Sequence, residues 1–76
     1  MLIMDKSGKC LVNLDKANGI YIDEVENERG EIYAAFGLSY PEDVTTLGYY
    51  DMNRAKEILK EIADRQGKST YYMPEE

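Results

Sequence analysis

Any chemistry in this chain must be done without histidine or tryptophan, with one cysteine, and with seven tyrosines among 76 residues. Nucleophilic catalysis needs a nucleophile beside a base, and the lack of histidine removes Ser–His and Cys–His pairs. Cys10 opens a short apolar run and reads as a small buried hydrophobe rather than a reactive thiol. It cannot form an internal disulfide, which fits a reducing compartment. One cysteine without histidine cannot build a structural zinc site. Asp23, Glu24, Glu26, Glu28 and Glu31 crowd into nine residues. Their spacing is not that of an EF-hand loop, so they read as a solvated hairpin tip rather than a cation site. Ser7-Gly8-Lys9 is too short a glycine turn to cradle a phosphate, and no P-loop pattern is present. The expectation is a non-enzyme with no catalytic residue, no metal and no cofactor.

Tyrosine is the feature that carries a functional expectation. Tyr49-Tyr50 and Tyr71-Tyr72 are adjacent pairs, so in strands each pair shows one ring on each face. Tyrosine suits a half-buried pleated surface, and cross-strand packing is the simplest use of these rings. It also brings a large contact area with a polar tip at low entropic cost, which suits an interaction surface. On that reading Tyr21, Tyr33, Tyr49, Tyr50, Tyr71 and Tyr72 are the candidate contact residues. A second use is capture of a nucleotide, with tyrosines stacking on the base and Arg54, Lys68 or Lys9 meeting phosphate. Arg54 falls in the first turn of an expected helix, where an anion would also meet free backbone amides.

In composition, 15 carboxylate side chains against 9 basic ones leave a net charge of −6. That disfavours nucleic acid, which needs Lys and Arg clustered on phosphates. The N-terminal residues have no basic region ahead of a long apolar run, so no signal peptide is expected. No stretch approaches the roughly 20 apolar residues of a membrane helix. A cytoplasmic protein is expected. A chain of this size buries only about 60–65% of the surface it exposes when unfolded, so association with a second copy would help it.

The elements that must position the tyrosines follow from periodicity. Ala55, Ile58, Leu59, Ile62 and Ala63 form one apolar stripe at helical spacing. Asp51 supplies an N-cap and Gly67 a residue able to end the helix in a left-handed conformation. Residues 20–25 and 31–38 alternate, with Ile20, Ile22, Ile32, Ala34, Phe36 and Leu38 on one face and Tyr21, Asp23, Glu31, Tyr33 and Ala35 on the other. Residues 2–4 and 10–14 form a first hairpin around Gly8. Residues 39–43 form a loop containing Pro41. Residues 44–50 form a strand running into the helix cap, and residues 68–73 a last edge strand. The whole chain, 1–76, reads as a single small α+β domain. Its expected fold is an antiparallel meander of about five strands packed on one C-terminal helix, with a short last edge strand as an addition.

Four pieces carry a resemblance: Val12-Asn13-Leu14-Asp15, Leu47-Gly48-Tyr49-Tyr50-Asp51, Arg54-Ala55-Lys56-Glu57-Ile58-Leu59 and Tyr72-Met73-Pro74. Together they resemble small uncharacterised proteins of Gram-positive bacteria, often encoded in prophages and other mobile elements. The resemblance implies a genomic setting and supplies no catalytic residues. The expected function is a non-enzymatic interaction module acting through a tyrosine-bearing sheet face. Its partner would be a second copy, or a host or phage protein. The alternative is a counter-defence protein that sequesters a small ligand such as a nucleotide signal.

Overall fold

The computed structural model describes residues 1–37, 43–65 and 70–75. The expectations for Leu38, for residues 39–42, for Gly67 as helix terminator and for residues 68–69 lie outside them. Strand β1 (Leu2–Met4) pairs antiparallel with β2 (Leu11–Asn13), followed by a 3-10 turn at Leu14–Lys16. Then come β3 (Gly19–Val25), β4 (Arg29–Ala35), β5 (Val44–Asp51), helix α1 (Met52–Asp64) and β6 (Tyr71–Tyr72).

The fold is α+β, but the strands do not form one meander. They split into two sheets of three strands, ordered β2-β1-β6 and β3-β4-β5. The second sheet is the antiparallel meander. In the first, β6 lies parallel to β1, with Ile3 opposite Tyr71 and Met4 opposite Tyr72. Strands β1 and β2 have three residues each, against seven or eight in the other sheet. Ile3 and Val12 of this small sheet enter the core that the larger sheet shares with the helix. The two sheets touch where the Lys6 amide donates to the Leu47 carbonyl at 2.8 Å.

Strand β4 shows why the second sheet forms. Its residues alternate strictly between half-buried and buried, the period-2 signature of a strand with one face on the core. Gly30, Ile32 and Ala34 face inward; Arg29, Glu31, Tyr33 and Ala35 face outward. Register carries this to β3, where Ile22 lies opposite Ile32 and Tyr21 opposite Tyr33. In β5 the alternation is broken by a bulge. Ile32 lies opposite Gly48 while Tyr33 lies opposite Thr46, so Leu47 is an extra residue. Leu47, the extra residue, is fully buried, and every later residue of β5 is shifted by one face. Tyr50 goes into the core and Tyr49 outward as a result.

Helix α1 lies on the inward face of this sheet. Asp51 caps it as expected, its carboxylate accepting from the Asn53 amide at 3.1 Å. The carbonyl of Glu28, in the β3–β4 turn, accepts from the Met52 amide at 2.9 Å. Together they satisfy two of the orphan amides at the helix start. The helix sits close to β4 because Gly30 has no side chain. A Cβ there would meet Ile22 Cγ2 at 3.0 Å and Ala55 Cβ at 3.2 Å. Ala55, Ile58 and Ile62 are buried as the stripe requires. Leu59 is only half-buried and Ala63 is exposed, a correction to the expected five-residue stripe. These two flank an apolar groove against Leu14, Ala17 and Gly19. Ala17 and Gly19 are too small to reach across and cover them.

One core unites both sheets and the helix. Ile3 and Val12 from the small sheet, Ile32, Ala34, Leu47 and Tyr50 from the large one, the helix residues above, and Tyr71 and Met73 from the C-terminal segment form a single cluster. Cys10 is not among them. It is exposed, because it ends the β1–β2 turn rather than starting the strand. Its carbonyl accepts from the Asp5 amide at 2.9 Å, and its own amide donates to Asp5 Oδ1 at 3.2 Å. Among the described residues no helix is long and apolar enough to cross a membrane.

Candidate functional site

The outward face of β3-β4-β5 carries three of the tyrosines, Tyr21, Tyr33 and Tyr49. The register brings Tyr21, on β3, directly opposite Tyr33, on β4. Their rings pack edge to face, with centroids 5.5 Å apart and planes at 76°, the arrangement favoured by the ring quadrupoles. Tyr49, on β5, lies opposite Glu31, one row along the same face. Tyr21 is 40% exposed and Tyr49 48% exposed, while Tyr33 between them is half-buried. Ala35 and Val44 extend the apolar part of the face at one end.

The same face carries charge. Asp23 lies opposite Glu31, so two carboxylates face each other across β3 and β4. Like charges at directly opposed positions repel. Thr46 answers part of this, its hydroxyl donating to Glu31 Oε2 at 2.5 Å. Tyr33 is held above its ordinary pKa, first by desolvation and then by the neighbouring charge of Asp23 and Glu31. Its phenol stays neutral and polar beside them. Among the described residues no three carboxylate or thiol groups gather into a cation site.

The other tyrosines named from sequence are dispersed. Tyr50 is fully buried and donates its hydroxyl to the Pro74 carbonyl. Tyr71 is buried and donates to Glu61 Oε1 at 2.6 Å. Neither offers its ring to a partner, so both belong to the core rather than to a contact surface. Each adjacent pair does split between faces, because Tyr49 and Tyr72 point outward. Tyr72 is 67% exposed, on the free side of β6 and away from the tyrosine face.

Of the cations named for phosphate, the two described, Arg54 and Lys9, sit apart on the helix and in the β1–β2 turn. Arg54 Nη1 lies 3.1 Å from Glu57 Oε1 and 3.3 Å from Glu61 Oε2. These two carboxylates hold its charge on the helix surface. Lys9 sits exposed in the β1–β2 turn, and Lys68 lies outside the described residues. Sequence reasoning missed a different pair. Lys6 Nζ and Arg29 Nη2 both donate to the Tyr49 carbonyl, at 3.0 and 3.2 Å. Residues 6 and 29 have no sequence relation that could have announced this. Comparison with models of known families, with curated proteins and with solved structures gives no match.

Proposed function

We propose that this chain is a non-enzymatic interaction module that associates through the outward face of β3-β4-β5, with a second copy as its partner. The observation that carries this reading is the Tyr21–Tyr33 pair, with Tyr49 one row along, on a sheet face whose opposite side holds the helix. Tyrosine at such a surface supplies area and hydrogen-bonding tips with little rotamer entropy to lose. Pairing two copies would be isologous, with the same rings facing each other across a twofold axis. The resemblance to small prophage-encoded proteins gives the reading its setting and contributes nothing to the choice of surface.

Sedimentation equilibrium tests it, run over a range of concentrations on this protein and on Tyr33→Glu. The expected result is a dimer that the substitution converts to monomer, because it adds a third carboxylate beside Asp23 and Glu31. A monomer at every concentration and salt overturns pairing with a second copy. A dimer indifferent to Tyr33→Glu overturns this choice of face and moves the interface to the β6 edge at Tyr72, where strand addition could serve.

A further inference from the structure

Of the four asparagines in the chain, only Asn18 is followed by glycine. It stands exposed in a bend between the 3-10 turn and β3. It also fastens the end of the β3–β4 hairpin. Its backbone amide donates to the Ala35 carbonyl at 2.6 Å, and its side-chain Nδ2 donates to the Gly37 carbonyl at 3.0 Å. Gly19, the next residue, opens β3 opposite Ala35. The Tyr21 ring lies over it, since a Cβ at Gly19 would meet the Tyr21 hydroxyl oxygen at 3.0 Å. One side-chain amide therefore holds the start of the strand on which Tyr21 stands.

From this placement we infer that Asn18 is a site of spontaneous deamidation, and that its conversion to aspartate or isoaspartate loosens the end of the β3–β4 hairpin. Asparagine is among the chemically labile residues. The reacting atoms are Asn18 Cγ and the Gly19 main-chain nitrogen. The nitrogen gives its proton to water and attacks Cγ; the Cγ–Nδ2 bond breaks and ammonia leaves, having taken up a proton. Water then opens the cyclic imide at either carbonyl. Opening at Cγ gives aspartate, and opening at the main-chain carbonyl gives isoaspartate, whose chain runs on through Cγ. Water is consumed, ammonia is released, and nothing is oxidised or reduced. Glycine puts no side chain beside the closing ring and leaves the backbone free to rotate into it. The other asparagines lack this setting. Asn13 Oδ1 accepts from the Asp15 amide at 3.0 Å and Leu14 follows it. Asn27 is followed by Glu28, both at positive φ, and Asn53 lies within α1 with Arg54 after it. Either product replaces Nδ2, a donor, with a carboxylate oxygen that can only accept, so the bond to Gly37 is lost. Isoaspartate also adds a main-chain carbon. The Asn18–Ala35 bond and the Gly19–Ala35 pairing then no longer fit together. The site does not depend on pairing of the tyrosine face.

The experiment ages the folded wild-type protein in mildly alkaline buffer and maps it by peptide mass spectrometry, with fragment ions assigning each asparagine. Asn18 is expected to exchange its NH2 for OH ahead of Asn13, Asn27 and Asn53, giving two products that chromatography separates. Asn18→Gln should not react in the same time, because its longer side chain must close a larger ring. Ageing in urea supplies the rate for the unfolded chain. The consequence is read by amide hydrogen exchange on Asn18→Asp and on the aged wild-type protein, so the reading survives if the variant does not fold. Exchange at position 18 and at Phe36 should speed up roughly three- to tenfold, the loss of one hydrogen bond. Amides in the middle of α1 are the reference. Asn18 intact in the folded protein while it reacts in urea overturns the site, and so does reaction at Asn18 no faster than at the other three. Exchange equal to that of fresh wild-type protein overturns the loosening.

Discussion

The hydroxyl of Tyr71 donates to Glu61 while its ring is buried against the core, and this one contact ties the last strand to the helix. Burial first, and then the hydrogen bond to Glu61, pushes Tyr71 well above its ordinary pKa. Glu61 is held below its ordinary value, chiefly by the bond from Tyr71 and further by Arg54. The two shifts act at opposite ends of the pH scale. A raised phenol pKa means that folding favours the neutral phenol, so its contribution is complete below about pH 10 and is lost as pH rises towards the folded value. A depressed carboxylate contributes above about pH 4.5 and loses that contribution as pH falls through its folded value. Tyr71→Phe should therefore cost about 1 kcal/mol at neutral pH, for the hydrogen bond. It should also reduce the loss of stability on the alkaline side. Urea melts in neutral and alkaline buffer measure both, and an alkaline loss as large as that of wild type would contradict this account of Tyr71. Packing makes its own prediction. Ile58→Ala should cost roughly 2–5 kcal/mol, the range for a buried aliphatic side chain that leaves a cavity. Leu59→Ala, at the edge of the groove, should cost less than half as much. Equal losses in the same melts would place Leu59 in the core.

The β3–β4 turn holds two non-glycine residues in the left-handed region. Asn27 and Glu28 both have positive φ, 61° and 57°. Two such residues in succession give the turn a twist that matches its strands. Asparagine tolerates that conformation, but glutamate pays roughly 1–2 kcal/mol for the contact of its Cβ with the following carbonyl. Glu28 is kept there because its carbonyl accepts from Met52 and so helps start the helix. Glu28→Gly should keep that bond, since it involves backbone only, and raise stability by about 1 kcal/mol. A lower melting temperature for the glycine variant would mean that its side chain does more than the structure shows. The neighbouring cap is tested separately. Asp51→Ala should cost about 1 kcal/mol and Asp51→Asn much less, because the amide oxygen can still accept from Asn53. If both are neutral in a thermal melt, the Glu28 carbonyl is enough to start the helix.

At the scale of the whole molecule, the small sheet acts as a closure. Strand β6 has two residues, yet its Tyr71 and the adjacent Met73 are buried in the common core. The Met73 amide donates to the Met4 carbonyl at 3.0 Å, so the C-terminal segment is stitched to the N-terminal strand. A chain this small has few core residues to spare. Truncation after residue 69 removes two of them and uncovers Ile3. The truncated protein should lose its cooperative unfolding transition in circular dichroism; a sharp transition would show that the large sheet and the helix fold without the closure. Association belongs to this scale too. Asp23 and Glu31 sit among the tyrosines, so pairing brings like charges together. If the proposed dimer forms, added salt should strengthen it, because screening weakens that repulsion more than it weakens apolar burial. A dimer that dissociates on adding salt would point to an interface held by ion pairs.

What the sequence determined by itself is what repeats over short distances. Period-2 alternation identified the β3–β4 pair and put Tyr21 and Tyr33 opposite the residues that face the helix. Helical spacing found Ala55, Ile58 and Ile62, and Asp51 announced the cap with its short acceptor side chain. These are properties of a few consecutive residues, fixed by backbone geometry wherever the segment lies. Tertiary structure decided the rest. Unbroken alternation from Thr45 would have sent Tyr49 inward and Tyr50 outward; the bulge at Leu47 reverses this. The bulge brings Leu47 and Tyr50 into one core with Ile32, which is a matter of packing and not of the strand's own spacing. The parallel pairing of β1 with β6 joins the two ends of the chain, and the meeting of Lys6 with Arg29 at the Tyr49 carbonyl joins three separate strands and turns. No local pattern encodes contacts of that kind, because they depend on which distant segments can share one core.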